Sequence, residues 1–234
     1  MKTTLLGTCR LRVIKSLLDC TTIDEDVSYT HSTKEVLQLL KVLSGELKLP
    51  LDMMQYAFRT GIMNGRPVEI GQKIVDQFNN TQLFIIEICS IKCYTYKGVY
   101  LHHLAVDSRW DWNFWIRTPA HIKYDTRITE QTREEIEKDI EEIQRFLHGK
   151  KIVLVTHILP PSDKLQKRKY LIDILNEVCE TRGLSIISPT ENLVEDLVSH
   201  DLGHYLPEKE EQVVLPFFRR KLIELNILKQ GQVL

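Results

Sequence analysis

A cysteine near one end of the chain, and an aspartate and a histidine near the other, are the residues whose types and spacing suit chemistry. Cys9 follows Thr3-Thr4-Leu5-Leu6-Gly7-Thr8, a short apolar strand that breaks at a glycine, and it leads into a helical stretch at Leu11–Leu18. A tight strand-to-helix turn lifts one side chain above the sheet edge, and the unpaired amides of the first helical turn point at whatever that side chain attacks. A thiol so placed is expected to ionise readily, because the helix N-terminus and Arg10 both favour the thiolate. Without that chemistry, Cys9 is a small apolar plug beneath a helix. Asp201 and His204 stand three apart on a loop before a C-terminal amphipathic helix. They can share one relay in which the carboxylate orients the imidazole and the imidazole acts as base.

The elements that must bring these residues together alternate along the chain. Strands are expected at Thr3–Leu6, Leu83–Ile88, Lys151–Thr156 and Leu184–Ile187. Three of them are near-continuous apolar runs, as in parallel sheets covered on both faces. Val27–Tyr29 is a candidate for another. Helices are expected at Leu11–Leu18, Ser32–Leu43, Pro67–Asn79, Glu130–Leu147, Asp163–Arg182 and Glu208–Leu225, with Ser32 as a cap. The pattern predicts one α/β domain over residues 1–234, a three-layer α/β/α sandwich with a mostly parallel sheet. Ligands of such sheets gather at the carboxyl ends of the strands. Cys9 sits at one such end, His157 at another, and Glu87 and Ser90 at a third. His157 is either a substrate-binding residue or a loop histidine bonded to backbone. Ser90 can donate a hydrogen bond to an oxyanion, whereas an ionised Glu87 can only accept one. The backbone amides around Cys9 and Arg10 are further oxyanion donors.

The order Cys9, Asp201, His204 resembles that of the SGNH/GDSL esterase superfamily. In that family a Gly-Asp-Ser motif follows the first strand and an Asp-x-x-His motif sits on a late loop. Gly7-Thr8-Cys9 takes the first place, Asp201 and His204 the second, and His204-Tyr205-Leu206-Pro207-Glu208 looks like the family's approach to its last helix. Cysteine stands where most members have serine, and Thr8 where they have aspartate. The variant looks closer to the GSCFA branch and to capsule-biosynthesis acetyltransferase-like proteins, which open Gly-Asn-Cys. No Gly-x-Asn-Asp block follows Gln82–Ile88, where the chain reads Glu87-Ile88-Cys89-Ser90-Ile91-Lys92, so the family's oxyanion asparagine is missing or replaced. The resemblance implies ester hydrolysis or O-acyl transfer on an acylated sugar or polysaccharide precursor. It requires no cofactor, and an acyl-CoA serves as donor where the acceptor is a hydroxyl.

Composition bounds the alternatives. The 234 residues are 43% hydrophobic and 27% charged, enough for a sizeable core, and 31 basic against 32 acidic residues leave a net charge of −1. No global field recruits nucleic acid or an anionic membrane. The basic cluster Lys164–Lys169 reads first as a solvated helix face. Five cysteines, and no signal-peptide pattern or apolar run long enough for a span, point to a reducing, cytoplasmic setting. Cys89 and Cys93, with His102 and His103 nearby, are not expected to bind metal, because strand alternation does not bring positions four apart into chelating geometry. Between about 94 and 128, Tyr100, Trp110, Trp112, Phe114, Trp115 and Tyr124 crowd an aperiodic stretch that reads as a lid over sugar or acyl groups, or as a satellite core. Two other functions stay open. One is a catalytically silent SGNH-like module that binds carbohydrate or a partner. The other is a cysteine-dependent phosphatase, disfavoured because Lys15 stands where that chemistry needs an arginine. Oligomeric state is not legible.

Overall fold

The computed structural model describes residues 1–18, 27–107, 118–159, 165–189 and 203–229. Its organising element is a parallel sheet of β1 (Thr3–Leu6), β2 (Leu83–Ile88), β6 (Lys151–Thr156) and β7 (Ser185–Ile187), in the order β1-β2-β6-β7. Leu6 pairs with Ile86 and Ile88 with Thr156, so the strands end together at one edge.

Every position of β1 and β2 is buried, because alternate residues enter two separate cores. Leu6, Phe84, Ile86, Ile88, Ile152 and Leu154 face a core shared with α1 (Thr33–Leu43), α4 (Gln72–Asn80), α6 (Arg133–Phe146) and α7 (Gln166–Arg182). Leu5, Leu83, Ile85, Val153, Val155 and Ile187 face a second core closed by a 3-10 helix at Cys9–Leu17 and the C-terminal helical segment. This is the expected three-layer α/β/α sandwich. The continuous apolar runs are its cause, since a strand covered on both faces has no position left for solvent.

Local chemistry sets the helix ends. Ser32 caps α1 by accepting from the Glu35 amide at 3.3 Å. Thr132 and Glu135 form a reciprocal capping box that starts α6. Glu130, expected inside that helix, ends a strand instead. The helix expected from Pro67 begins at Gln72, with Gly71 at the cap. The segment expected at Leu11–Leu18 is a 3-10 helix beginning at Cys9 itself. Val27–Tyr29 is not a strand, although Ser28 O accepts from the Gly7 amide at 2.9 Å. The last helix runs through α8 (Pro207–Lys209), a π turn at Glu210–Val214 and α9 (Leu215–Glu224). Pro216 lacks the amide a regular turn would use, and the wide turn lies just before it.

Two features had no sequence signal strong enough to find them. Short helices α2 (Leu51–Ala57) and α3 (Arg59–Asn64) bury Met53, Met54, Tyr56 and Ile62. An antiparallel sheet of β3 (Lys92–Tyr96), β4 (Val99–Leu101) and β5 (Arg127–Glu130), with α5 (Ala120–Asp125), lies in the stretch expected to form a lid. The Gln38 side chain clamps it by accepting from Tyr100 N at 2.8 Å and donating to Tyr100 O at 2.7 Å. Tyr96, Val99, Leu101 and Ile122 join the first core, while Tyr124 is exposed. Trp110, Trp112, Phe114 and Trp115 lie outside the described residues.

Candidate functional site

The turn after β1 is built around one buried carboxylate. Gly7 has φ +149°, and a Cβ there would come within 2.6 Å of Glu87 Cβ and 2.9 Å of Leu11 Cδ1. Only glycine lets the turn sit so close to β2. Glu87, 1% exposed, then accepts from Thr8 N at 2.9 Å, from Thr8 Oγ1 at 2.5 Å and from Arg10 Nε at 2.6 Å. Thr8 is thus one end of a clamp. Arg10 reaches further and donates from a terminal nitrogen to Gly203 O at 2.5 Å. A buried ion pair therefore ties the Cys9 turn to the backbone beside His204.

These residues open onto a crevice of about 880 Å³ at the carboxyl edge of the parallel sheet. Cys9, Arg10, Ser90, His157 and His204 all line it. Glu87 is the exception. It lies beneath the turn, its two oxygens taken by Thr8 and Arg10, so its task is to hold the turn in place. Asp201 lies outside the described residues.

The thiol differs from the expectation. Burial pushes the Cys9 thiol up from its ordinary value, against the pull of Arg10, and Glu87 pushes it the same way as burial. Although burial works against its charge, the Arg10 guanidinium is held protonated by the Glu87 carboxylate beside it. That same carboxylate offsets much of the field Arg10 would otherwise give the sulfur. The thiolate is disfavoured here, so nucleophilic use of this sulfur would require a base to take its proton.

His157 is buried and donates from Nδ1 to Ile158 O at 2.8 Å, which leaves Nε2 as its acceptor nitrogen. Burial, with Arg10 and Arg168 alongside, holds its imidazole neutral. Ser90 Oγ accepts from Lys92 N at 3.0 Å, a role that leaves its proton to donate. Leu11 N closes the first helical turn on Thr8 O at 3.2 Å, so the amides of Cys9 and Arg10 precede the first helical bond.

The sequence reading missed other residues of the crevice. Arg59 stacks over the Tyr29 ring at 4.2 Å, and Arg168 donates to Ile158 O at 2.8 Å. His31 and Glu35 come from the start of α1. His31 O accepts from the amides of both Cys89 and Ser90 at 2.9 Å, which fixes that loop against the end of β2. Only chain crossovers join these segments, and they leave no local pattern.

Residues 1–114, which carry β1, the Cys9 turn and β2, match the TviD N-terminal domain family. That stretch contains Gly7, Thr8 and Cys9, on which the capsule-biosynthesis resemblance rests. No curated protein matches the chain. Among solved structures, the chain is similar to TesA at 11% identity, covering 96% of this chain and 99% of that one, with a TM-score of 0.47. It is also similar to a lipase/acylhydrolase from Enterococcus faecalis at 12% identity, covering 99% of each chain, with a TM-score of 0.44.

Proposed function

We propose that the protein is an SGNH-like acyl-ester hydrolase or O-acyltransferase with Cys9 as nucleophile, acting on an acylated sugar or polysaccharide precursor. The observation that carries the reading is the shared crevice of Cys9 and His204, drawn together through Arg10 and Gly203. In the first step His204 takes the thiol proton as the sulfur bonds to the ester or thioester carbonyl carbon. The carbon–oxygen or carbon–sulfur bond then breaks, and the leaving alcohol or thiol receives that proton. Water or a sugar hydroxyl then attacks the acyl carbon, with His204 accepting its proton; the bond from that carbon to the Cys9 sulfur breaks, and His204 returns the proton to the sulfur. The Cys9 and Arg10 amides and the Ser90 hydroxyl serve as oxyanion donors, each worth roughly 3 kcal/mol of barrier. His157 accepts from a substrate hydroxyl through Nε2.

The direct test is to mix the protein with an activated acetyl ester, quench with acid and map the peptides by mass. One acyl group on the Cys9 peptide is expected. Acylation elsewhere, or none, sinks the reading. The carboxylate is tested separately: Asp201→Asn should lower turnover by roughly a hundredfold, since a neutral amide neither fixes the tautomer nor stabilises the imidazolium. An unchanged rate would reduce Asp201 to a loop residue.

The raised thiol favours a second reading, a catalytically silent module that binds sugar or a partner. Alkylation separates the two. Iodoacetamide should label Cys9 ahead of Cys93 and Cys179, both pushed up to about 12 by burial, and ahead of Cys89, which burial pushes up as well. Because the Cys9 thiol is itself raised, its rate should keep climbing with pH beyond the ordinary thiol range. His204→Ala should slow it. Equal labelling of all sites, or a Cys9 rate indifferent to His204, would favour the silent module.

A further inference from the structure

Along the same crevice, three imidazoles meet from two distant segments. The ring centroids of His31 and His102 lie 4.8 Å apart, those of His31 and His103 4.7 Å, and those of His102 and His103 4.7 Å. One nitrogen from each lies within 4.8 Å of the others. We propose that His31, His102 and His103 form a binding site for one divalent transition-metal ion of the zinc type, with a fourth position open to the crevice. The site does not depend on Cys9 chemistry.

Two independent details support a ligand here. His31 is oriented as metal-binding histidines are: Nδ1 lies 3.3 Å from Glu35 Oε2, whose carboxylate makes it the donor and leaves Nε2 with its lone pair. The Glu35 carboxylate also accepts from His31 N at 3.1 Å and from Ser32 Oγ at 3.3 Å, which anchors it beside the ring. His102, 1% exposed, accepts from the Leu104 amide at Nδ1, at 3.2 Å, while its Nε2 is buried with no hydrogen-bond partner among the described residues. A buried ring nitrogen without a partner is costly unless something fills the position.

The geometry needs adjustment, and its size is modest. Tetrahedral nitrogens about 2.05 Å from zinc stand about 3.3 Å apart, so the rings must close in from their present spacing. His31 and His103 are half-buried rather than enclosed in the core. Ligation through His102 Nε2 moves the ring proton to Nδ1 and gives up the long Leu104 bond. Cys89 and Cys93 are not part of the set. The sequence reading set them beside His102 and His103 and expected no metal there; the cluster instead joins those two histidines to His31, from before α1. Three imidazoles suit zinc better than magnesium or calcium, and three protein ligands with one open position are the pattern of a site that takes up water or substrate oxygen.

The test uses the full chain, treated with chelator and dialysed against Zn²⁺, with Co²⁺ as the spectroscopic probe. The expected result is one ion per chain and intense tetrahedral Co²⁺ bands. His31→Ala and His103→Ala should each weaken binding by about tenfold or more, and Glu35→Gln should weaken it by releasing His31. Melting in metal-free buffer verifies that these variants fold, and half-buried positions are chosen because His102 variants are prone to fail. Three results would each overturn the proposal: no binding by the parent up to millimolar ion, binding unchanged in both histidine variants, or binding lost with Cys9→Ala in their place.

Discussion

Cys9→Ala is expected to remove ester and thioester turnover, by roughly 10⁴-fold or more, while the chain keeps its fold. The expected loss is large because the nucleophile and its base act as a unit. The thiol is only half-buried and the core beneath it is made by Leu11, Ile14 and Leu17, so deleting one sulfur leaves a small void at a surface turn. Turnover and thermal melting, measured on one preparation, separate chemistry from folding. Turnover within a few-fold of the parent would remove Cys9 as nucleophile. It would leave the metal site untouched, since that rests on other residues.

Glu87→Ala should act in the opposite way, on the fold before the chemistry. Its carboxylate satisfies Thr8 N, Thr8 Oγ1 and Arg10 Nε from a position almost without solvent. Removing one partner of a buried ion pair strands the other charge, at a cost of about 3–5 kcal/mol. Denaturant unfolding reads that loss directly. The double variant Glu87→Leu with Arg10→Met should recover part of it, because no charge is then left buried. Catalysis should not recover, since Arg10 no longer holds the Gly203 loop beside Cys9. Additive losses in the double variant, or a single variant as stable as the parent, would show that the pair does not hold the turn.

The layered fold was legible in the sequence because its signals are local. Strands β2 and β6 are near-continuous apolar runs, and a run without regular polar alternation has to be covered on both sides. Ser32 and the stripe Val36, Leu37, Leu40 and Leu43 marked α1 by a cap and a period that the chain carries within a few residues. Gly7 marked the turn because a strand that must bend sharply beside another backbone leaves no room for a Cβ. The positions of Cys9 and His204 at one sheet edge follow from the same local signals, since the first ends a parallel strand and the second precedes the last helix.

Only the tertiary structure decided what those residues experience. Arg10 read as a free cation that would ionise Cys9, yet Glu87, far along the chain, pairs with it, and burial raises the thiol. A charge acts on its surroundings according to what compensates it and how much water remains, and neither is written in neighbouring residues. The small antiparallel sheet escaped notice because its strands are short and partly exposed, with weak alternation, and are held by contacts such as Gln38 with Tyr100. His31 joins His102 and His103 for the same reason. Local sequence determines which element forms and where it stops, while desolvation and the meeting of distant side chains depend on how the crossovers bring those elements together.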